Sequence, residues 1–132
     1  MATRFRDSEK VKADNKKHRE LHPDYSKTWR VSNPARYLLG KARYRASKKG
    51  IPFDLVEQDV VVPYTCPVLG IPLQLGGDKF NSPSIDRFDN SKGYTKDNIR
   101  VISHRANTIK CAYPLEELKA VVRYMEGEEH GI

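Results

Sequence analysis

Only two cysteines, Cys66 and Cys111, occur in the 132 residues, and neither belongs to a CxxC pair. That count excludes a four-cysteine zinc site. In a chain without a secretion signal, two distant thiols read as free rather than bridged. No apolar run approaches the ~20 residues that cross a bilayer. The opening Met1-Ala2-Thr3-Arg4-Phe5-Arg6 has no apolar signal-peptide core behind it, so a cytoplasmic protein is expected. His18 and His22 stand at helical i, i+4 spacing, but the HExxH arrangement is missing and Pro23 follows at once. They read as part of a solvated basic segment rather than as metal ligands. No internal repeat is visible.

The length suits one domain, with a core that needs no covalent staples. Charge divides it. Residues 1–49 hold 15 lysines and arginines against 5 acidic residues, whereas residues 50–132 hold 9 against 12. A basic front joined to a mildly acidic back suggests a polyanion clamp attached to something else, the alternative being a solvated tail that aids solubility. A membrane surface is the weaker partner, because residues 1–22 offer few large apolar side chains to lipid. Residues 1–30 read as a basic arm, flexible or marginally helical, and residues 128–132 as a short tail.

The spacing predicts a helix over 34–49. Ser32 or Asn33 can cap it, Pro34 suits its first turn, and Gly50 suits a left-handed stop. Ala35, Leu38, Leu39, Ala42 and Ala46 share one face; Arg36 and Arg43 lie opposite, flanked by Tyr37, Lys41, Tyr44 and Lys48. Arg36, Lys41, Arg43, Tyr44 and Lys48, with Arg105 further on, are the candidate phosphate contacts. Asp54 with Glu57 resembles a capping pair, which favours a helical turn or two over a strand across 55–62. Cys66-Pro67-Val68-Leu69-Gly70-Ile71-Pro72-Leu73 fits a turn or hairpin. A strand is expected over 84–88, a turn-rich loop over 89–98 and a second strand over 99–102. Ser103 can cap a helix to about Lys110, and Pro114 opens a last helix to about Glu126. The last helix is expected to pack through Leu115, Leu118, Val121, Val122 and Met125.

If the two strands pair and the next helix folds back over them, Asp86 and Asn107 can converge. One oxygen from each, with waters and a phosphate oxygen, would suit Mg²⁺. Most Asp/Asn pairs separated by a loop are nevertheless structural.

The run Ser84-Ile85-Asp86-Arg87-Phe88-Asp89, then Gly93-Tyr94, Asn98-Ile99-Arg100-Val101-Ile102-Ser103 and Arg105-Ala106-Asn107, resembles phage-type HNH (ββα-metal) endonucleases of the endonuclease VII-like group. Lys48 to Leu55, Cys66 to Leu73 and Leu115 to Leu118 are similar to that group as well, so the resemblance spans roughly residues 34–126. It implies an α+β fold: a ββα-metal core at about 84–110 within a domain over 31–127, with additional packing helices and the basic N-terminal arm. It also implies cleavage of double-stranded or branched DNA with Mg²⁺ or Mn²⁺. Asp86 and Asn107 match the metal-binding positions. A phage-encoded chain would act in the bacterial host, and a homodimer is compatible with the sequence.

Two departures qualify the resemblance. Arg87 stands where the water-activating histidine is usual; a guanidinium stays protonated, so it suits holding a phosphate better than accepting a proton. An ion pair with Asp86 is its alternative. Of the positions where relatives carry two CxxC pairs, Cys66 is kept, while Leu69, Ser103 and Ala106 fill the others. No structural zinc is therefore expected. The candidate bases are His104, three residues before Asn107 on the same helix side, and Asp89, with direct proton loss to solvent as a third route. Their structural alternatives are a solvent-facing helix-start histidine and a turn-stabilising aspartate. The other functional readings are a catalytically decayed HNH-fold DNA-binding module and a phage accessory factor that binds RNA or inhibits a protein. No RRM or KH signature supports RNA.

Overall fold

The computed structural model describes residues 8–21 and 25–128, in two compact units, one up to Asn33 and one from Pro34 onward. The first unit contains α1 (Ser8–Leu21) and α2 (Tyr25–Ser32). The basic arm is thus helical over much of its length. The described side chains of α1 are exposed except Val11, which is half-buried, so local propensity rather than packing sustains this helix. Asn33 closes α2, donating from its backbone N–H and its carboxamide to the Trp29 carbonyl at 2.9 and 3.0 Å. His22, one member of the spaced histidine pair, lies outside the described residues.

The second unit mixes helix and strand. Its first element, α3 (Pro34–Lys49), has the predicted bounds. Leu38, Leu39, Ala42 and Ala46 are buried, with Ala35 packed beside them, as the 3.6-residue period requires. Gly50 takes φ 65°, a left-handed stop that few side chains tolerate, and the Ile51 N–H returns to the Ala46 carbonyl at 2.9 Å. This face of α3 completes a cluster with Leu55, Val60, Ile85, Tyr94, Ile99 and Val101. Each buried leucine there stabilises by about 1.5–3 kcal/mol.

Two small sheets frame that cluster. β1 (Phe53–Asp54) runs parallel to β3 (Tyr94–Thr95), with Phe53 opposite Tyr94. β2 (Pro83–Arg87) pairs antiparallel with β4 (Ile99–Ser103), so that Ile85 faces Val101 and Asp86 faces Arg100. The expected helical turns over 55–62 shrink to a 3₁₀ turn at Glu57–Asp59. Its cap is Asp59, which accepts from the Val56 N–H at 2.9 Å, while Glu57 reaches out to Arg36 instead. Cys66 to Pro72 forms the expected turn, closed by the Cys66 N–H on the Ile71 carbonyl at 2.8 Å with Gly70 at φ 73°.

α4 (His104–Ala112) follows β4 directly. Ser103 caps it, its hydroxyl accepting from the Ala106 N–H at 3.0 Å. α5 (Leu115–Met125) departs from expectation: the helix exists, but no residue on it is buried. Leu115, Val121, Val122 and Met125 are all more than half exposed, so its apolar stripe is not packed into the core of this unit.

Candidate functional site

Alternation along β2 sends Ile85 into the core and leaves Ser84 and Asp86 on the other face. α4 folds back over that face. Asn107 donates from Nδ2 to Ser84 Oγ at 3.4 Å, and Lys110, one turn on, donates from Nζ to Asp86 Oδ1 and Oδ2 at 2.9 and 3.0 Å. Asp86 and Asn107 therefore belong to one strand–helix contact. What joins them was not anticipated from the sequence: Ser84 and Lys110 each bridge to the other element.

Lys110 is the centre of the arrangement. Besides both Asp86 oxygens, its ammonium donates to the Arg87 carbonyl at 2.7 Å and to Asn90 Oδ1 at 3.4 Å. Asp86 is only 7% exposed. A carboxylate so buried requires a partner charge, and Lys110 supplies it.

The loop from Phe88 to Asn98 is held from within. Asn98, 7% exposed, accepts from the Asp89 N–H at 2.9 Å and donates from Nδ2 to the carbonyls of Asp89 and Gly93 at 3.0 and 2.9 Å. Arg87 Nη1 donates to the carbonyls of Asn90 and Lys92, both at 3.0 Å, and its guanidinium carbon lies 5.4 Å from the centre of the Tyr94 ring. It makes no ion pair with Asp86. Its Nη1 contacts clamp the loop, with an aromatic face beside the guanidinium.

The two candidate bases separate on environment. Asp89 accepts from the Ser91 hydroxyl at 2.6 Å and the Ser91 N–H at 2.9 Å. These bonds, with Lys92 and Lys110 nearby, hold its carboxyl below the usual carboxylate range. It is thus a poor proton acceptor and a good turn brace. His104 begins α4, anchored by its N–H on the Ser82 carbonyl at 2.7 Å. Its half-buried imidazole makes no hydrogen bond among the described residues, which leaves both ring nitrogens available.

Of the four positions matched above to zinc cysteines of the endonuclease VII-like pattern, Cys66, Ser103 and Ala106 do meet. Cys66 and Ala106 form a small second core with Ile102, flanked by Ile71 and Leu73, and the Ser103 N–H donates to Cys66 Sγ at 3.2 Å. The Leu69 N–H reaches the same sulfur at 3.5 Å. Burial pushes the Cys66 thiol up, but bonds from the Ser103 hydroxyl and from the Leu69, Ser103 and Val68 backbones outweigh it and leave the pKa lowered. One thiol and one hydroxyl beside apolar groups do not match the ligand set of a structural zinc. Hydrogen bonds and packing hold these segments together. Cys111 is exposed, its thiol 3.4 Å from Asn107 Oδ1.

The outer side of α3 carries the expected cations. Lys41 lies over Tyr37, Lys48 over exposed Tyr44 and Arg43 over Phe53, at 5.4, 5.5 and 5.4 Å from the ring centre by the charged group. Arg36 pairs with Glu57 at 3.4 Å in an exposed setting, which leaves it easily recruited elsewhere. Arg105 is exposed on α4. Arg45, which the pattern did not single out, is structural: it donates to the Ile85 carbonyl at 3.0 Å and the Tyr94 hydroxyl at 3.4 Å, tying α3 to β2 and β3.

Among the described residues, no cluster of three or more His, Cys, Asp or Glu side chains is arranged to hold a metal. Magnesium needs less, usually one or two protein oxygens plus waters. The oxygens around Lys110 Nζ, from Asp86, Arg87 and Asn90, are hard donors of that kind, and the Asn107 carboxamide lies on the same helix side. The donor set fits a hard cation provided that Lys110 yields Asp86. Comparison with known proteins found no match among family models, curated proteins or solved structures.

Proposed function

We propose that the chain is a metal-dependent DNA endonuclease or nickase built on a variant ββα-metal (HNH-like) core. The observation that carries this reading is the buried Asp86 carboxylate held between a β-hairpin and α4, on the side where Asn107 lies. Asp86 and Asn107 would hold Mg²⁺ or Mn²⁺, which supplies charge stabilisation at a scissile phosphate when bound. His104 would accept the proton of the attacking water, since its imidazole makes no hydrogen bond among the described residues. Lys41, Arg43, Tyr44 and Lys48 grip the backbone of double-stranded or branched DNA, aided by Arg36 and Arg105.

The test is cleavage of supercoiled plasmid with Mg²⁺, Mn²⁺ or EDTA, by wild type, Asp86→Ala and His104→Ala. The expected result is metal-dependent nicking, absent in Asp86→Ala and slowed about 10²–10⁴-fold in His104→Ala. An Asp86→Ala protein that still cuts would refute the site.

A second reading, a non-catalytic DNA-binding module on the same fold, is favoured by the Lys110 ammonium on Asp86 and by the engagement of Arg87 in the loop. It predicts no cleavage of plasmid or branched DNA, with binding that still weakens steeply as salt rises.

A further inference from the structure

We infer that Lys110 is a built-in occupant of the cation position at Asp86, and that a divalent ion enters only by displacing it. This rests on the metal-site reading above and goes beyond it by assigning a competitor within the chain.

Three observations carry the inference. First, the ammonium contacts four oxygens from three residues at 2.7–3.4 Å, and both carboxylate oxygens are among them. The arrangement is an oxygen cradle with a tethered monovalent cation in it. Second, the cradle does not depend on the lysine for its shape. Pairing of Asp86 and Arg87 with β4 and the Arg87 bond to the Asn90 carbonyl hold the backbone that carries these oxygens, and none of those bonds involves the ammonium. Third, the lysine can withdraw. Its side chain is 33% exposed while that of Asp86 is 8% exposed, so the lysine lies partly in water over a largely shielded carboxylate.

A divalent ion on Asp86 would share its donors with the ammonium at a few ångströms. Like charges at that distance repel strongly in a partly buried site. One cation must leave, and the tethered one can swing out on its own stem. Lys110 thereby keeps the buried carboxylate neutralised when no metal is present, at the cost of weakening metal binding.

The experiment measures Mn²⁺ affinity by electron paramagnetic resonance and by titration calorimetry, without DNA. The proteins are wild type, Lys110→Gln, Lys110→Arg and the double variant Asp86→Asn/Lys110→Gln. Glutamine removes the charge yet can still donate to Asp86, which protects folding. The expected result is Mn²⁺ binding on the order of tenfold tighter in Lys110→Gln, no tightening in Lys110→Arg, and loss of the gain in the double variant. In wild type, added Mg²⁺ should shift or broaden the NMR signal of the Lys110 ammonium, a readout that requires no substitution. Equal or weaker Mn²⁺ binding by Lys110→Gln overturns the inference, and so does an ammonium signal that ignores saturating Mg²⁺ bound at Asp86.

Failure of the nuclease reading looks different. A wild type that binds Mn²⁺ without cutting, beside a Lys110→Gln that binds more tightly, upholds the inference and removes the nuclease. A wild type that binds no Mn²⁺ beside a Lys110→Gln that does shows a lysine that no ion displaces and overturns the inference. A wild type that binds and cuts, beside a Lys110→Gln no tighter, overturns the inference and leaves the nuclease standing. No binding by any variant overturns the cradle itself.

Discussion

Replacing Asn98 with alanine tests how the loop beneath the site is held. The carboxamide makes three hydrogen bonds, one accepted from the Asp89 N–H and two donated to the carbonyls of Asp89 and Gly93. Each contributes about 0.5–1.5 kcal/mol net, and a buried group left without a partner loses more. Asp89 and Gly93 are half-buried, so water can satisfy part of what alanine leaves open. The expected cost is therefore about 2–4 kcal/mol, a large share of the 5–15 kcal/mol typical of a domain. Urea denaturation should show a lower midpoint with an unchanged slope. Asn98→Asp sharpens the test. It keeps an acceptor for the Asp89 N–H but points oxygen at two carbonyl oxygens, so it should destabilise at least as much as alanine despite its similar shape. A loss below about 1 kcal/mol in Asn98→Ala, or an Asn98→Asp as stable as wild type, would refute the account. The site should register the change as well, since one of the oxygens around Lys110 belongs to Asn90 on this loop and another to Arg87 at the end of β2 just before it.

Gly93→Ala should be costly for a different reason. A Cβ there would lie 2.6 Å from the Pro52 carbonyl oxygen and 2.9 Å from Pro52 Cβ, and the first of these is backbone. The pairing of β1 with β3 must open to admit it, so about 1–3 kcal/mol should be lost in the same urea assay, and a neutral result would contradict the close approach. Asp89 makes a pH prediction. Its pKa is lowered in the folded state by the Ser91 bonds, so the folded state binds fewer protons there than the unfolded chain. The stabilisation is present above the unfolded carboxylate pKa of about 3.9 and is lost as pH falls through the lower folded value. The midpoint difference between wild type and Asp89→Ala should shrink from about pH 7 to about pH 2, and a constant difference would show that the carboxylate charge plays no part.

Elements whose signals are local were legible in the sequence. α3 announces itself through Pro34, Gly50 and five small or branched apolar residues at helical spacing, and all three signals act within one helix. Ser103 is a cap for the same kind of reason. The pairing of β1 with β3 was not legible, because each strand has two residues and their partners are some forty positions apart. Asp59 rather than Asp54 or Glu57 supplies the turn cap, a choice that depends on where the chain goes next and not on the pair of acids alone. For α5 the periodic stripe gave the helix but not its neighbour. Amphipathicity says that one face avoids water, and it does not say which surface covers that face.

The site divides along the same line. Spacing brought Asp86 and Asn107 to one strand–helix contact, yet it passed over Lys110, the residue that touches the carboxylate. Two signals pointed to it. Lys110 follows Asn107 by three positions, which places both on one side of a helix. An aspartate on a strand whose neighbour Ile85 is core needs a cation once it is buried, and the helix crossing it offers Lys110 at the right height. The same alternation disposes of the ion pair between Asp86 and Arg87. Consecutive strand residues point to opposite faces, so Arg87 leaves toward Tyr94 while Asp86 turns toward α4. Arg87 touches Lys110 through its backbone carbonyl, while its Nη1 clamps the loop. The side chains around Asp86 come from α4 and from the loop at Asn90, and on α4 the His104 imidazole makes no hydrogen bond among the described residues.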